Sequence, residues 1–215
     1  MTLAIKICGL KTQAALDAAL DGGAEYVGFV IFPPSPRHIA PADAKALAAR
    51  ARGRAQVVAL LVDPSDELLA EVDAALAPDL YQLHGEETPE RVAAIRARFG
   101  RRVMKAIKVA GAGDAAEASR YQGHADLILF DARPPAGSTR PGGHGAAFDW
   151  RLLDGVKAAP FMLSGGLTPG NVADAIRATA AAIVDVSSGV ESRPGEKDLA
   201  LIRRFLQAAK GVKQG

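Results

Sequence analysis

The chain has 215 residues, enough for a sizeable core in one domain, and 49% of them are hydrophobic against 23% charged, the balance of an ordinary globular protein. A formal net charge of +2, with basic residues scattered rather than striped, leaves no footprint for nucleic acid, and no apolar run reaches the ~20 residues of a membrane span. The single cysteine allows no internal disulfide and no signal-peptide pattern follows Met1, so a cytoplasmic protein with neither nucleic acid nor membrane as partner is expected.

In chain order, short apolar runs alternate with alanine-rich amphipathic ones. A predicted strand over Leu3–Cys8 leads to a predicted helix over Thr12–Asp21, and Tyr26–Phe32 leads to Pro41–Arg52. The pattern continues with Gln56–Val62 before Asp66–Leu76 and Leu80–His84 before Pro89–Phe99. Val103–Val109 precedes a predicted helix over Asp114–Tyr121, and Leu127–Asp131 precedes one over Asp149–Val156. Phe161–Ser164 with Pro169–Ala178, then Ile183–Val186 with Leu199–Lys210, complete the set. Pro41 and Pro169 suit a first helical turn, and Thr88-Pro89-Glu90 resembles a capped entry. Gly22-Gly23, Gly53 and Gly100 suit left-handed helix ends.

Strands that are apolar throughout are those of a parallel sheet buried on both faces. Eight strand–helix units of roughly 25 residues predict an α/β fold, the (β/α)8 TIM barrel, with residues 1–215 as a single domain. An open doubly wound sheet is the alternative. The one long irregular stretch, Ala132–Ala147, is rich in Pro and Gly and reads as a lid or binding loop.

In a barrel, function collects at the carboxyl ends of the strands. Those ends carry Cys8, the loop Pro33-Pro34-Ser35-Pro36-Arg37, Asp63, Gln82 and His84, Lys108, Asp131, Ser164-Gly165-Gly166, and Asp185 with Ser187-Ser188-Gly189. The last two strands run into adjacent glycine-containing turns, Gly165-Gly166 and Ser187-Ser188-Gly189, the second able to begin a short extra helix. Bare backbone N–H groups at such turns suit a phosphate.

Cys8 reads either as a small buried hydrophobe or as a general base. Lys6, two residues back on the same face, would supply positive charge to a thiolate or would pair with a carboxylate. Asp131 reads as a helix cap, a partner for lysine, or a general acid. Arg37, in a proline-stiffened loop, is either a carboxylate clamp or a solvated surface arginine. His84 reads as a core or loop histidine, and His38, His124 and His144 lack metal-ligand spacing, so no metal is expected.

Taken together, the segments Lys6-Ile7-Cys8-Gly9-Leu10, Phe32-Pro33-Pro34-Ser35-Pro36-Arg37, Gln82-Leu83-His84-Gly85, Phe130-Asp131, Leu163-Ser164-Gly165-Gly166-Leu167 and Asp185-Val186-Ser187-Ser188-Gly189-Val190-Glu191 resemble the phosphoribosylanthranilate isomerase family, in the same order over nearly the whole chain. The resemblance implies an Amadori rearrangement of N-(5-phosphoribosyl)anthranilate to 1-(2-carboxyphenylamino)-1-deoxyribulose 5-phosphate, a step of tryptophan biosynthesis. It implies Asp131 as general acid and Cys8 as general base, and no cofactor, because the protonated imine is its own electron sink. Arg37 would bind the anthranilate carboxylate, Asp185 a sugar hydroxyl, and Gln82 the pocket wall. Gly165, Gly166, Ser187, Ser188 and Gly189 would cradle the phosphate of a small phosphorylated substrate. Monomer and homodimer both stay open.

One departure concerns the lid, where relatives read Gly-Gly-Thr-Gly and this chain has Gly142-Gly143-His144-Gly145; His144 is expected to tune loop motion only. Three other readings compete. A histidine-pathway isomerase would use aspartate in place of Cys8 and need a second phosphate site. Indole-glycerol-phosphate synthase shares the phosphate turns but relies on lysines and a glutamate. A non-catalytic phosphate-binding barrel would leave Cys8 and Asp131 without a task.

Overall fold

Each run that the sequence marks as a strand is one. The computed structural model describes residues 3–111, 113–133, 147–156 and 160–212. Its strands are β1 (Ala4–Cys8), β2 (Tyr26–Val30), β3 (Gln56–Leu61), β4 (Leu80–Leu83), β5 (Arg102–Val109), β6 (Leu127–Ala132), β7 (Phe161–Leu163) and β8 (Ile183–Val186). All pair in parallel with the next, and β8 returns to β1 with Ile5 opposite Val184 and Lys6 opposite Asp185. That last pairing closes the barrel and excludes the open sheet.

Side chains alternate across a strand, and here the alternation also grades along each strand. Inward positions near the amino ends are apolar: Tyr26, Val58, Leu80, Met104, Leu127, Leu129, Met162 and Ile183 fill the barrel as one cluster. Two residues further on, the inward positions turn polar. Leu80 gives way to Gln82, Leu129 to Asp131, Met162 to Ser164 and Ile183 to Asp185, all four buried. The outward positions, among them Ile5, Ile7, Val27, Phe29, Val57 and Phe130, pack beneath the helices as a second cluster. The barrel is thus plugged with hydrocarbon at one end and lined with hydrogen-bonding groups at the other.

The helices are α1 (Gln13–Asp21), α2 (Pro41–Ala51), α3 (Asp66–Leu76), α4 (Pro89–Phe99), α5 (Val172–Thr179) and α6 (Leu199–Lys210). Side chains of Thr12, Ser65, Thr88 and Asp198 cap four of them by accepting from free amides of the first turn. Pro41 does open α2. Pro169 does not open α5: Thr168 N–H donates to Asn171 Oδ1 at 2.7 Å and Asn171 Nδ2 donates to the Gly166 carbonyl at 3.0 Å, so residues 166–171 form a tight turn and the helix starts at Val172. Gly23, Gly53 and Gly100 take left-handed backbone as expected, whereas Gly22 stays right-handed.

Two predicted helices are reduced. Residues 114–121 form a 3₁₀ helix, and its buried residues, Ala115, Ala118 and Tyr121, fall three apart, the period of that tighter coil. The helix expected over Asp149–Val156 shrinks to a 3₁₀ turn, Trp150–Leu153, because Gly155 takes φ 79° and ends the run. After β8 a short 3₁₀ turn, Ser188–Val190, appears as expected. It leads into an unforeseen hairpin of β9 (Glu191–Arg193) and β10 (Glu196–Lys197). His144 and the rest of 134–146, most of the expected lid, lie outside the described residues. No helix among the described residues is long and apolar enough to cross a membrane.

Candidate active site

Cys8 ends β1 with 2% of its surface exposed, facing the barrel axis. It has room because its neighbour on β2 is Gly28; a Cβ there would lie 2.9 Å from Cys8 Sγ and 3.2 Å from Lys6 Cε. Lys6 is buried beside it, and its ammonium donates to Gln82 Oε1 at 2.7 Å and to Asp185 Oδ1 at 3.0 Å. Of the two sequence expectations for Lys6, the pairing with a carboxylate is the one seen, while its charge favours the thiolate form of Cys8 without prevailing.

The electrostatics pull in two directions. Burial pushes the Cys8 thiol above its ordinary value, and the Lys6 and Lys197 charges, which favour thiolate, do not offset it while Asp185 adds to the rise. Burial alone would drive the Lys6 proton off, but Asp185 holds it, and its pKa ends above the usual lysine value. Burial thus favours the thiol form of Cys8, and Asp185 favours the charged form of Lys6 beside it.

Asp131 stands one residue before the end of β6, on the other side of the mouth, 5% exposed. Its Oδ2 lies 3.1 Å from His84 Nε2, and its Oδ1 accepts the Ala132 N–H at 2.9 Å. His84 Nδ1 in turn lies 3.0 Å from Gln82 Nε2. A buried polar chain therefore runs Asp131, His84, Gln82, Lys6, Asp185, and ends with Ser164 Oγ donating to Asp185 Oδ2 at 3.2 Å. His84, given no role on sequence grounds, is a full member.

Arg37 is no solvated surface residue. It is 5% exposed and grips Glu191 with both arms, Nε to Oε1 at 2.7 Å and Nη2 to Oε2 at 2.8 Å. Lys197 Nζ reaches the same carboxylate at 2.7 Å, and also the Ser187 carbonyl at 2.9 Å and its hydroxyl at 3.2 Å. Arg37 and Lys197 outweigh the cost of burial and hold Glu191 below the usual glutamate range. Arg37 and Lys197 thus share one carboxylate at the mouth. Sequence reading missed Glu191 and Lys197 as chemistry, because nothing local links Arg37 to a residue 154 positions away.

The turns after β7 and β8 meet. A Cβ on Gly189 would run into the Leu167 carbonyl oxygen, so only glycine lets them pack this closely. Gly165 and Gly166 take φ 88° and 63°, and all five predicted phosphate-cradle residues are half-buried at the mouth. Ser187 Oγ is already engaged, donating to the Cys8 carbonyl at 3.2 Å. Asp63 and Lys108 are not brought in: Asp63 Oδ1 accepts the Glu86 N–H in a neighbouring loop, and Lys108 pairs with Glu86. Among the described residues no cluster of His, Cys, Asp or Glu is arranged to hold a metal ion.

Comparisons with known proteins agree with one another. Residues 5–208 match the family model for N-(5'-phosphoribosyl)anthranilate (PRA) isomerase. The chain is 57% identical over 213 residues to the N-(5'-phosphoribosyl)anthranilate isomerase of Nitrobacter winogradskyi, covering 99% of this chain and 95% of that one. It is similar to the crystal structure of the Thermotoga maritima enzyme, with TM-score 0.86, 35% identity and coverage of 97% and 99%. A phosphoribosyl anthranilate isomerase solved in complex with reduced 1-(o-carboxyphenylamino)-1-deoxyribulose 5-phosphate matches with TM-score 0.84, 34% identity and the same coverage. A closed barrel with this mouth, matched along nearly its whole length, places the chain in the N-(5'-phosphoribosyl)anthranilate isomerase family, enzymes of tryptophan biosynthesis.

Proposed function

We propose that the isomerisation runs by general acid–base catalysis between Asp131 and Cys8. The observation that carries this reading is their placement: two ionisable groups at the ends of β6 and β1, both nearly dry and both members of or neighbours to one polar chain. Asp131 gives its proton to the ribose ring oxygen as the C1–O bond breaks, and the nitrogen lone pair closes a protonated C1=N imine. The Cys8 thiolate takes the proton from C2. The C2–H electrons form C1=C2 and the nitrogen regains its pair, and the enolamine then ketonises with protonation at C1.

The raised pKa of Cys8 fits this sequence of events. A cationic imine beside the sulfur favours thiolate, so Cys8 releases its thiol proton to solvent as the imine forms, and the base is activated by the intermediate it must deprotonate. Lys6 and Lys197 add to that field. The Arg37 guanidinium, buried and held in place by both oxygens of Glu191, supports a subsite for the anthranilate carboxylate. Backbone amides of Gly165, Gly166, Ser187, Ser188 and Gly189 take the phosphate, with Asp185 on a sugar hydroxyl and Gln82 in the wall. Every group named comes from one chain, which suits a monomer or a homodimer built away from the mouth. β1 closing on β8 supports one domain over residues 1–215, and a free buried thiol suits the cytoplasm.

The test is steady-state turnover of phosphoribosylanthranilate by Cys8→Ala and Asp131→Asn, beside their affinity for a reduced product analogue. Each is expected to lose about 10²–10⁴-fold in kcat while keeping that affinity. Near-normal kcat in either variant would remove its residue from the mechanism.

A further inference from the structure

We infer that Gln82 and His84 are positioning residues for Asp131, and that Lys6 sets their polarity. This rests on the reading of Asp131 as the acid. The argument needs only the inventory of donors and acceptors. A lysine ammonium has three donors and no acceptor. Lys6 Nζ, 2.7 Å from Gln82, must therefore face its oxygen, which turns the Gln82 NH2 toward His84. That NH2 can only donate, so His84 Nδ1, 3.0 Å away, must be the bare nitrogen. The neutral imidazole then carries its proton on Nε2, and this N–H donates to Asp131 Oδ2 at 3.1 Å.

Each link is forced by the one before. A flipped Gln82 would put its NH2 against the ammonium, and a proton on His84 Nδ1 would face the NH2. With Oδ1 held by the Ala132 N–H, each oxygen of Asp131 accepts one N–H, and a second lone pair is left to carry the proton that the acid gives up. The chain is no proton wire, because a neutral amide at Gln82 does not pass protons along. Its work is to fix a tautomer and an orientation. Lys105 supports it from outside: its ammonium donates to the Gly85 carbonyl and to Glu87 Oε2, both at 2.7 Å, which pins the loop directly after His84.

The test reads the tautomer and the kinetics separately. In ¹⁵N-labelled wild-type protein, imidazole correlation spectra, with the His84 signal assigned by its loss in His84→Gln, are expected to show the Nε2–H form. Gln82→Glu keeps the shape and the contact with Lys6 but offers His84 an acceptor, so the signal is expected to switch to Nδ1–H. With it kcat should fall about 10–100-fold, the size of one hydrogen bond to the carboxylate that Asp131 becomes as it gives up its proton, at little-changed KM. His84→Gln, whose amide reaches the place of Nε2, should keep more activity than His84→Leu. An Nδ1–H or doubly protonated His84 in wild type would overturn the polarity argument. A tautomer switch with unchanged kcat, or equal activity of His84→Gln and His84→Leu, would overturn the positioning role. Should Asp131→Asn keep full activity, the acid reading fails while the spectra still judge the network.

Discussion

At the scale of single residues, Cys8 carries the sharpest conflict of forces. Burial favours the thiol, and the lysines beside it favour thiolate. The balance has a consequence for stability. In the unfolded chain the thiol ionises near its ordinary 9.0, while in the folded protein it holds its proton to higher pH. Above that value the unfolded state has released a proton that the folded state keeps, so stability falls as pH rises. Serine at this position does not titrate. Cys8→Ser is therefore expected to gain on wild type between about pH 8 and about pH 10, measured as urea midpoints; a gap that stays constant with pH would contradict the raised pKa. Cys8 and Asp131 were legible in the sequence because each stands where an apolar strand stops, and Arg37 because prolines bracket it. Their partners were not. His84 lies 47 residues from Asp131 and Glu191 lies 154 from Arg37, and only barrel closure and the hairpin after β8 bring them together.

At the scale of elements, the site depends on what strands omit as much as on what they present. β2 passes Cys8 with Gly28, and the missing side chain is the space that Cys8 Sγ and Lys6 Cε occupy. Gly28→Ala adds one carbon against the Cys8 backbone and sulfur, where neither can move without disturbing β1. A cost of about 1–3 kcal/mol in stability is expected, together with at least a tenfold loss of kcat as the sulfur is displaced. Wild-type kcat in a correctly folded variant would show that the sulfur's position is not critical. All eight strands were readable from short apolar runs, and α3, α4 and α6 begin where Ser65, Thr88 and Asp198 cap them, while α4 ends at Gly100 and α3 at a left-handed Ala77 that no glycine marks. The units after β5 and β6 were overread as helices: periodic alanines fit a three-residue repeat as well, and Gly155 leaves too few residues for more than one turn.

At the scale of the whole molecule, the barrel separates stability from chemistry by end. Hydrocarbon fills the amino end, and the carboxyl end is held by ionic clamps that tie neighbouring loops together. Glu87 is the clearest case, accepting from Asp63 N–H at 2.9 Å and from Gly85 N–H at 3.1 Å while paired with buried Lys105 at 2.7 Å. Lys105→Met leaves that carboxylate buried without its cation, and a loss of about 3–5 kcal/mol is expected in urea unfolding; a loss below about 1 kcal/mol would place the clamp in the class of surface pairs. The central claim is that Cys8 removes the proton from carbon 2 at this mouth. The most direct measurement is single-turnover loss of phosphoribosylanthranilate fluorescence with wild type and Cys8→Ala side by side, under saturating enzyme. A decay at least 100-fold slower in the variant, with substrate still bound, is the expected result for removal of a general base. Equal decay rates would contradict the assignment and return Cys8 to the core as a small buried side chain.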